Sequence, residues 1–163
     1  DRRHIQDRDV KLLSETIQTK LNFEMAVTDE MISICKDIKP ACCCLVPEKR
    51  EELTTEGGLD VIGNLSQIKA ATTELQSVGI EVSLFIDPDE NQIKIAKSVG
   101  AELVELHTGY YANSHNPDSS TSSIEKLMNA AEIANKLGLL VNAGHGLNYD
   151  NLSPICKIKY LNE

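Results

Sequence analysis

Short apolar runs alternate with amphipathic stretches along the chain, and this alternation predicts strands separated by helices. Five runs read as strands: residues 21–27, 41–46, 80–86, 101–106 and 139–143, each bounded by turn or cap residues. They are apolar enough to be covered on both sides, as strands of a parallel sheet are. The helices between them have recognisable starts. Asp7 precedes Val10, Leu13 and Ile17; Thr28, followed by Asp29 and Glu30, opens a helix that ends before Pro40; and Asp89 precedes Ile93 and Ala96. Two further helices are predicted over 65–78 and 121–137, each ending at a glycine, Gly79 and Gly138, suited to the left-handed position after a helix. No internal repeat, low-complexity tract or linker interrupts the pattern, so residues 1–163 read as a single α/β domain with a parallel sheet.

The location of the polar residues decides between an open doubly wound sheet and a barrel. Pro47-Glu48-Lys49-Arg50, Asp87-Pro88-Asp89, His107-Thr108-Gly109 and Gly144-His145-Gly146 each follow a predicted strand directly. That is where the βα loops of a (β/α)₈ barrel build its catalytic face. Neither G-x-G-x-x-G after the first strand nor a Walker lysine loop is present, so the usual reasons to prefer a nucleotide-binding open sheet are missing. The expected fold is a (β/α)₈ TIM barrel of which this chain supplies about five central strand–helix units. Such a barrel needs eight strands and typically about 250 residues, so the chain reads as a fragment. It opens on the charged loop Asp1-Arg2-Arg3-His4 with no strand before it, and another strand is expected to begin after Tyr160-Leu161-Asn162-Glu163.

Composition narrows the function classes. The 163 residues are 41% hydrophobic and 25% charged, enough to bury a core, and the net charge of −9 with no long Lys/Arg run argues against a nucleic-acid partner. Apolar runs fall far short of the roughly twenty residues that span a bilayer, and no signal peptide opens the chain, so a cytoplasmic protein is expected. Of the five cysteines, Cys42, Cys43 and Cys44 are contiguous. Successive strand side chains point to opposite faces, so these thiols cannot converge on one metal. All five, with Cys35 and Cys156, read as small buried apolar side chains of a reduced compartment.

Several residues interrupt the apolar runs in ways that suggest chemistry. Glu24, in Phe23-Glu24-Met25-Ala26-Val27, would face the axis of a barrel, as a general base or as a hydrogen-bonded structural glutamate. Glu105, in Val104-Glu105-Leu106, repeats the pattern on another strand; its bland reading is a glutamate paired with Arg or Lys. His145 is the sharpest feature, an imidazole between two glycines at a strand end, where the backbone can approach a ligand closely and the side chain can donate a proton. His4 and His107 carry weaker cases, and His115 reads as solvated. The loop Thr54-Thr55-Glu56-Gly57-Gly58 offers hydroxyls and N–H groups to an anionic or polyhydroxylated ligand, while Arg2, Arg3, Lys49 and Arg50 are substrate-facing cations or solvated charges.

These residues fall within motifs that match a known family. Asp1-Arg2-Arg3-His4-Ile5, Asn22-Phe23-Glu24-Met25-Ala26-Val27-Thr28, Cys44-Leu45-Val46-Pro47-Glu48-Lys49-Arg50, Thr54-Thr55-Glu56-Gly57-Gly58-Leu59-Asp60, Val82-Ser83-Leu84-Phe85-Ile86-Asp87, Glu105-Leu106-His107-Thr108-Gly109 and Val141-Asn142-Ala143-Gly144-His145-Gly146-Leu147 resemble, in order and over essentially the whole chain, the pyridoxine 5′-phosphate synthase family. The resemblance implies a homo-octameric (β/α)₈ barrel, a transferase of vitamin B6 biosynthesis. It would condense 1-deoxy-D-xylulose 5-phosphate with 3-amino-2-oxopropyl phosphate into pyridoxine 5′-phosphate, phosphate and water, with no metal or organic cofactor. It implies Glu24 as proton acceptor, His145 as proton donor and Glu105 as a transition-state stabiliser. His4 and Thr54 match residues that bind the deoxyxylulose phosphate, and Gly146 one that binds the amino-ketone phosphate. The family's first-strand Asn and Asp-His pair, a second proton-accepting histidine, a binding arginine and a glycine-rich phosphate loop have no match here. The fragment alone is therefore expected to have little or no activity.

Two other readings compete. Another sugar-phosphate TIM-barrel enzyme shares the fold, though a Schiff-base aldolase would want a lysine inside a strand and none of the five runs has one. A non-catalytic barrel-derived module predicts erosion at Glu24, Glu105 and His145, yet all three are intact.

Overall fold

The computed structural model describes residues 4–49, 52–54, 57–114 and 117–163. Its sheet comprises β1 (Asn22–Met25), β2 (Cys42–Leu45), β3 (Glu81–Ile86), β4 (Leu103–His107) and β5 (Leu140–Gly144), in that spatial order. Every neighbouring pair is parallel. Sequential strands side by side, each reached through a helix, are the arrangement of a (β/α)₈ barrel wall. The barrel continues past β5: Leu161 bridges Val141 in parallel, with Asn162 N–H donating to the Val141 carbonyl at 2.7 Å and Ala143 N–H to that of Glu163 at 2.9 Å. Pairing therefore begins at Leu161, slightly ahead of the point after Glu163 where the sequence predicts another strand.

The helices are α1 (Asp7–Thr16), α2 (Asp29–Ile38), α3 (Leu65–Gln76), α4 (Glu90–Ser98), α5 (Gly109–Ala112), α6 (Pro117–Lys136) and α7 (Leu152–Ile155). Thr28 caps α2 by accepting from Met31 N–H, and Asp89 caps α4 by accepting from the N–H groups of Asn91 and Gln92, both at 2.9 Å. Gly79 and Gly138 take φ of +85° and +73° after α3 and α6, as their positions predict. At α1 the cap is Gln6, whose N–H donates to Asp9 at 3.0 Å, while Asp7 becomes the first helical residue. Helix α6 begins at Pro117, earlier than 121, because proline lacks only an N–H that has no helical partner in the first turn.

Register divides the sheet into two unlike faces. Phe23, Cys43, Val82 and Val104 belong to the outward set with Met25, Leu45, Leu84, Ile86, Leu106 and Val141, and all join the core beneath the helices. Leu45, Leu84, Ile86 and Leu106 are 0% exposed, and full burial of such side chains contributes about 1.5–3 kcal/mol each. The alternate set, Glu24, Cys44, Ser83, Phe85, Glu105, His107 and Asn142, faces the other way, toward the barrel axis. The runs are thus apolar toward the helices and polar toward the axis. Four cysteines are buried as expected, but Cys156, following the last turn of helix, is exposed.

Candidate active site

Polar groups of the inner face concentrate at the C-terminal ends of β3, β4 and β5. Glu105 is half-buried on β4, and its Oε2 accepts from the Cys44 thiol at 3.7 Å. Burial raises the affinity of this carboxyl for its proton, and the negative charge of Glu24 adds to the effect. Among the described residues no arginine or lysine of the bland reading pairs with it. Desolvation likewise pushes the Cys44 thiol well up, with Glu105 contributing. Glu24 lies opposite Cys44 in register, but on β1, the edge strand of the described sheet, and it is solvent-exposed rather than buried in an apolar run. Glu24, Cys44 and Glu105 thus form one polar group across three elements.

His145 follows β5 with φ of +91°, a conformation that costs an L-residue about 1–2 kcal/mol. Two fixed points hold it. The buried Thr108 hydroxyl donates to the carbonyls of Gly144 and His145 at 2.7 and 2.6 Å, and Gly146 takes φ of +76°. Strain of this kind held by its surroundings is a mark of functional positions. The glycines serve proximity as well. A Cβ on Gly144 would collide with Glu105 Oε1, and one on Gly146 would come within 2.8 Å of Ala112 Cβ.

The site also contains residues for which the sequence made a weak case or none. His107 is 8% exposed, its ring centroid 4.8 Å from that of His145 and 5.0 Å from that of Phe85. Asp87, at the end of β3, accepts from Gly58 N–H at 3.0 Å and from the Thr54 hydroxyl, with His107 Nδ1 3.4 Å from its Oδ1. Burial opposes its charge, but His107, Thr54 and the Gly58 N–H outweigh that and lower its proton affinity. The signal that pointed here was the polar doublets ending strands; the contact itself joins separate strands, which pattern alone does not pair.

The structure therefore brings Glu24, Glu105, His145, Gly146 and Thr54 to one end of the sheet. His4 is exposed before α1, and among the described residues no hydrogen bond or ring contact joins it to them. Lys49 is exposed. Arg2, Arg3, Arg50, Thr55, Glu56 and His115 lie outside the described residues. No group of three or more His, Cys, Asp or Glu among the described residues is arranged to hold a metal ion.

The model of the family described as pyridoxal phosphate biosynthesis protein PdxJ matches residues 1–163. The chain belongs to the PdxJ family. A protein of Photobacterium profundum named pyridoxine 5′-phosphate synthase is 59% identical over all of this chain and 67% of its own length. One of Colwellia psychrerythraea with the same name is 56% identical over all of this chain and 66% of its own length. The chain thus spans about two thirds of these relatives, and PdxJ membership accords with the seven motifs read from the sequence. Among solved structures, the EAL domain of Xanthomonas citri FimX superposes with a TM-score of 0.64 at 13% identity, covering 94% of this chain and 62% of that one. A xylose isomerase domain protein of Planctomyces limnophilus gives 0.54 at 13% identity, covering 89% and 63%. Both likenesses are of fold alone.

Proposed function

We propose that this PdxJ-family protein is a pyridoxine 5′-phosphate synthase, joining 1-deoxy-D-xylulose 5-phosphate to 3-amino-2-oxopropyl phosphate with loss of phosphate and water. The observation that carries this is the cluster of Glu24, Glu105 and His145 on the axial face at the C-terminal strand ends, where enzymes of this fold do their chemistry. Ring closure by imine formation and successive water losses needs protons moved at several positions, which carboxylates and imidazoles of differing proton affinity supply.

In this reading Glu24, exposed to the axial space, accepts protons from the condensing intermediates. His145, carried on a strained backbone, donates them to departing oxygens. Glu105, whose burial and acidic neighbour favour its protonated form, hydrogen-bonds the charge that develops between them. Thr54 binds the deoxyxylulose phosphate together with His4, and the Gly146 backbone, unencumbered by a side chain, takes the amino-ketone phosphate. No metal or organic cofactor has a part in this scheme. The active form is a homo-octamer in the cytoplasm; no helix among the described residues is long and apolar enough to cross a membrane.

Incubation of a purified polypeptide of the relatives' full length containing this chain with both phosphorylated substrates tests the proposal, with the product identified by mass and ultraviolet absorbance. Pyridoxine 5′-phosphate and one equivalent of inorganic phosphate are expected. A folded protein of its relatives' length that forms neither would overturn the reading.

A further inference from the structure

We propose that Asp87 is a positioning residue acting through His107: its carboxylate holds the imidazole with its proton on Nδ1, leaving Nε2 as a hydrogen-bond acceptor beside His145. The inference rests on the site reading above. Three groups from two segments converge on this one carboxylate. Gly58 N–H donates to Oδ1 at 3.0 Å, the Thr54 hydroxyl donates to Oδ2, and His107 Nδ1 lies 3.4 Å from Oδ1. Both the Asp87 and His107 side chains are 8% exposed, so water offers little competition.

His107 Nδ1 is buried and makes no hydrogen bond of full geometry among the described residues. Asp87 Oδ1, 3.4 Å away, is the acceptor beside it, and a buried N–H is costly to leave without one. A neutral imidazole carries one proton; when a carboxylate claims it at Nδ1, the other nitrogen can only accept. The ring edge bearing Nε2 lies against two glycines. A Cβ on Gly109 would come within 2.6 Å of Nε2 and 3.1 Å of His145 Cδ2, and one on Gly57 within 3.2 Å of Cε1. The other titratable groups toward this end of the face among the described residues include Glu105 on the same strand, Cys44, Glu24 and His145, while Cys42 and Glu81 lie at its opposite end.

Thr54 is subject to the same control. Its proton is taken by Asp87, with the Gly58 carbonyl a second acceptor 3.2 Å away, so toward any further partner its oxygen can only accept. Two acceptors, Thr54 Oγ1 and His107 Nε2, then define a subsite for a hydrogen-bond donor, a hydroxyl or amine of the substrate, next to a histidine with the opposite duty.

The test is ¹⁵N NMR of histidine-labelled protein without substrate, on a polypeptide of the relatives' full length. Neutral His107 is expected as the Nδ1–H tautomer, shifting toward Nε2–H in Asp87→Asn. In turnover, Asp87→Asn is expected to lower kcat/KM by roughly 10- to 100-fold, the usual effect of losing a group that orients a functional histidine. In a His107→Gln background the same change should cost only a few-fold, since the path through the ring is already cut. An Nε2–H tautomer in the unaltered protein, a tautomer indifferent to Asp87→Asn, or full additivity of the two substitutions would overturn the proposal. The NMR measurements require no turnover, and that on the unaltered protein requires no variant. Absence of synthase activity in the unaltered protein would thus sink the functional reading while leaving the tautomer result to stand or fall by itself.

Discussion

Glu105 carries a carboxyl that burial and the charge of Glu24 both push toward protonation. The folded state therefore holds this proton more tightly than the unfolded chain, in which a glutamate ionises near pH 4.3. As pH rises through that value the unfolded state gains its charge without penalty while the folded state resists, so Glu105 withdraws stability toward neutral pH. Glu105→Gln is expected to melt above the parent protein at pH 8, with the gain shrinking toward pH 4; thermal melts across that range check it, and a gain that grows on acidification would contradict it. Glu105 and His145 were legible because each breaks a local pattern, a carboxylate inside an apolar run and an imidazole between glycines. Asp87 and His107 stood in polar strand-end motifs, but His107 carried only a weak case and Asp87 none of its own, because such strand ends are ordinary. Only the β3–β4 pairing brings them within 3.4 Å.

At the level of elements, capping and breaker chemistry read off the sequence with little loss. Thr28 and Asp89 cap where predicted, and Gly79 and Gly138 turn left-handed as predicted. Asp89→Ala is expected to destabilise the protein by about 1 kcal/mol through the two N–H groups left without an acceptor. Urea unfolding measures it directly, and no change in midpoint would show that water replaces the cap at no cost. The one-turn helices α5 and α7 escaped prediction because four residues are too few for helical periodicity to register. They form through tertiary contact, the Tyr111 hydroxyl of α5 donating to the Asn151 carbonyl at 2.7 Å, just before α7. Their position beside Thr108 and Gly146 gives them a place in fixing the His145 loop.

Across the whole molecule, the division of the sheet into an apolar outer face and a polar axial face organises everything else. Parallel order and strand count were legible from alternation. The inequality of the two faces was not, since Cys42, Cys43 and Cys44 read alike and only register sends Cys43 toward the helices and Cys44 toward Glu105. The axial face is itself polarised along its length. Glu81, at its N-terminal end, pairs loosely with Lys20 at 3.7 Å, while Glu105 and His145 lie at the other end. The most direct test compares turnover of Glu24→Gln and His145→Asn with Glu81→Gln, a carboxylate removed from the same face at the opposite end. The account predicts that the first two lose at least about 100-fold in kcat, the scale of a general acid or base, and that Glu81→Gln stays within a few-fold of the parent. Equal losses for all three, or full activity in Glu24→Gln and His145→Asn, would contradict the claim that synthesis takes place at the C-terminal end of this face.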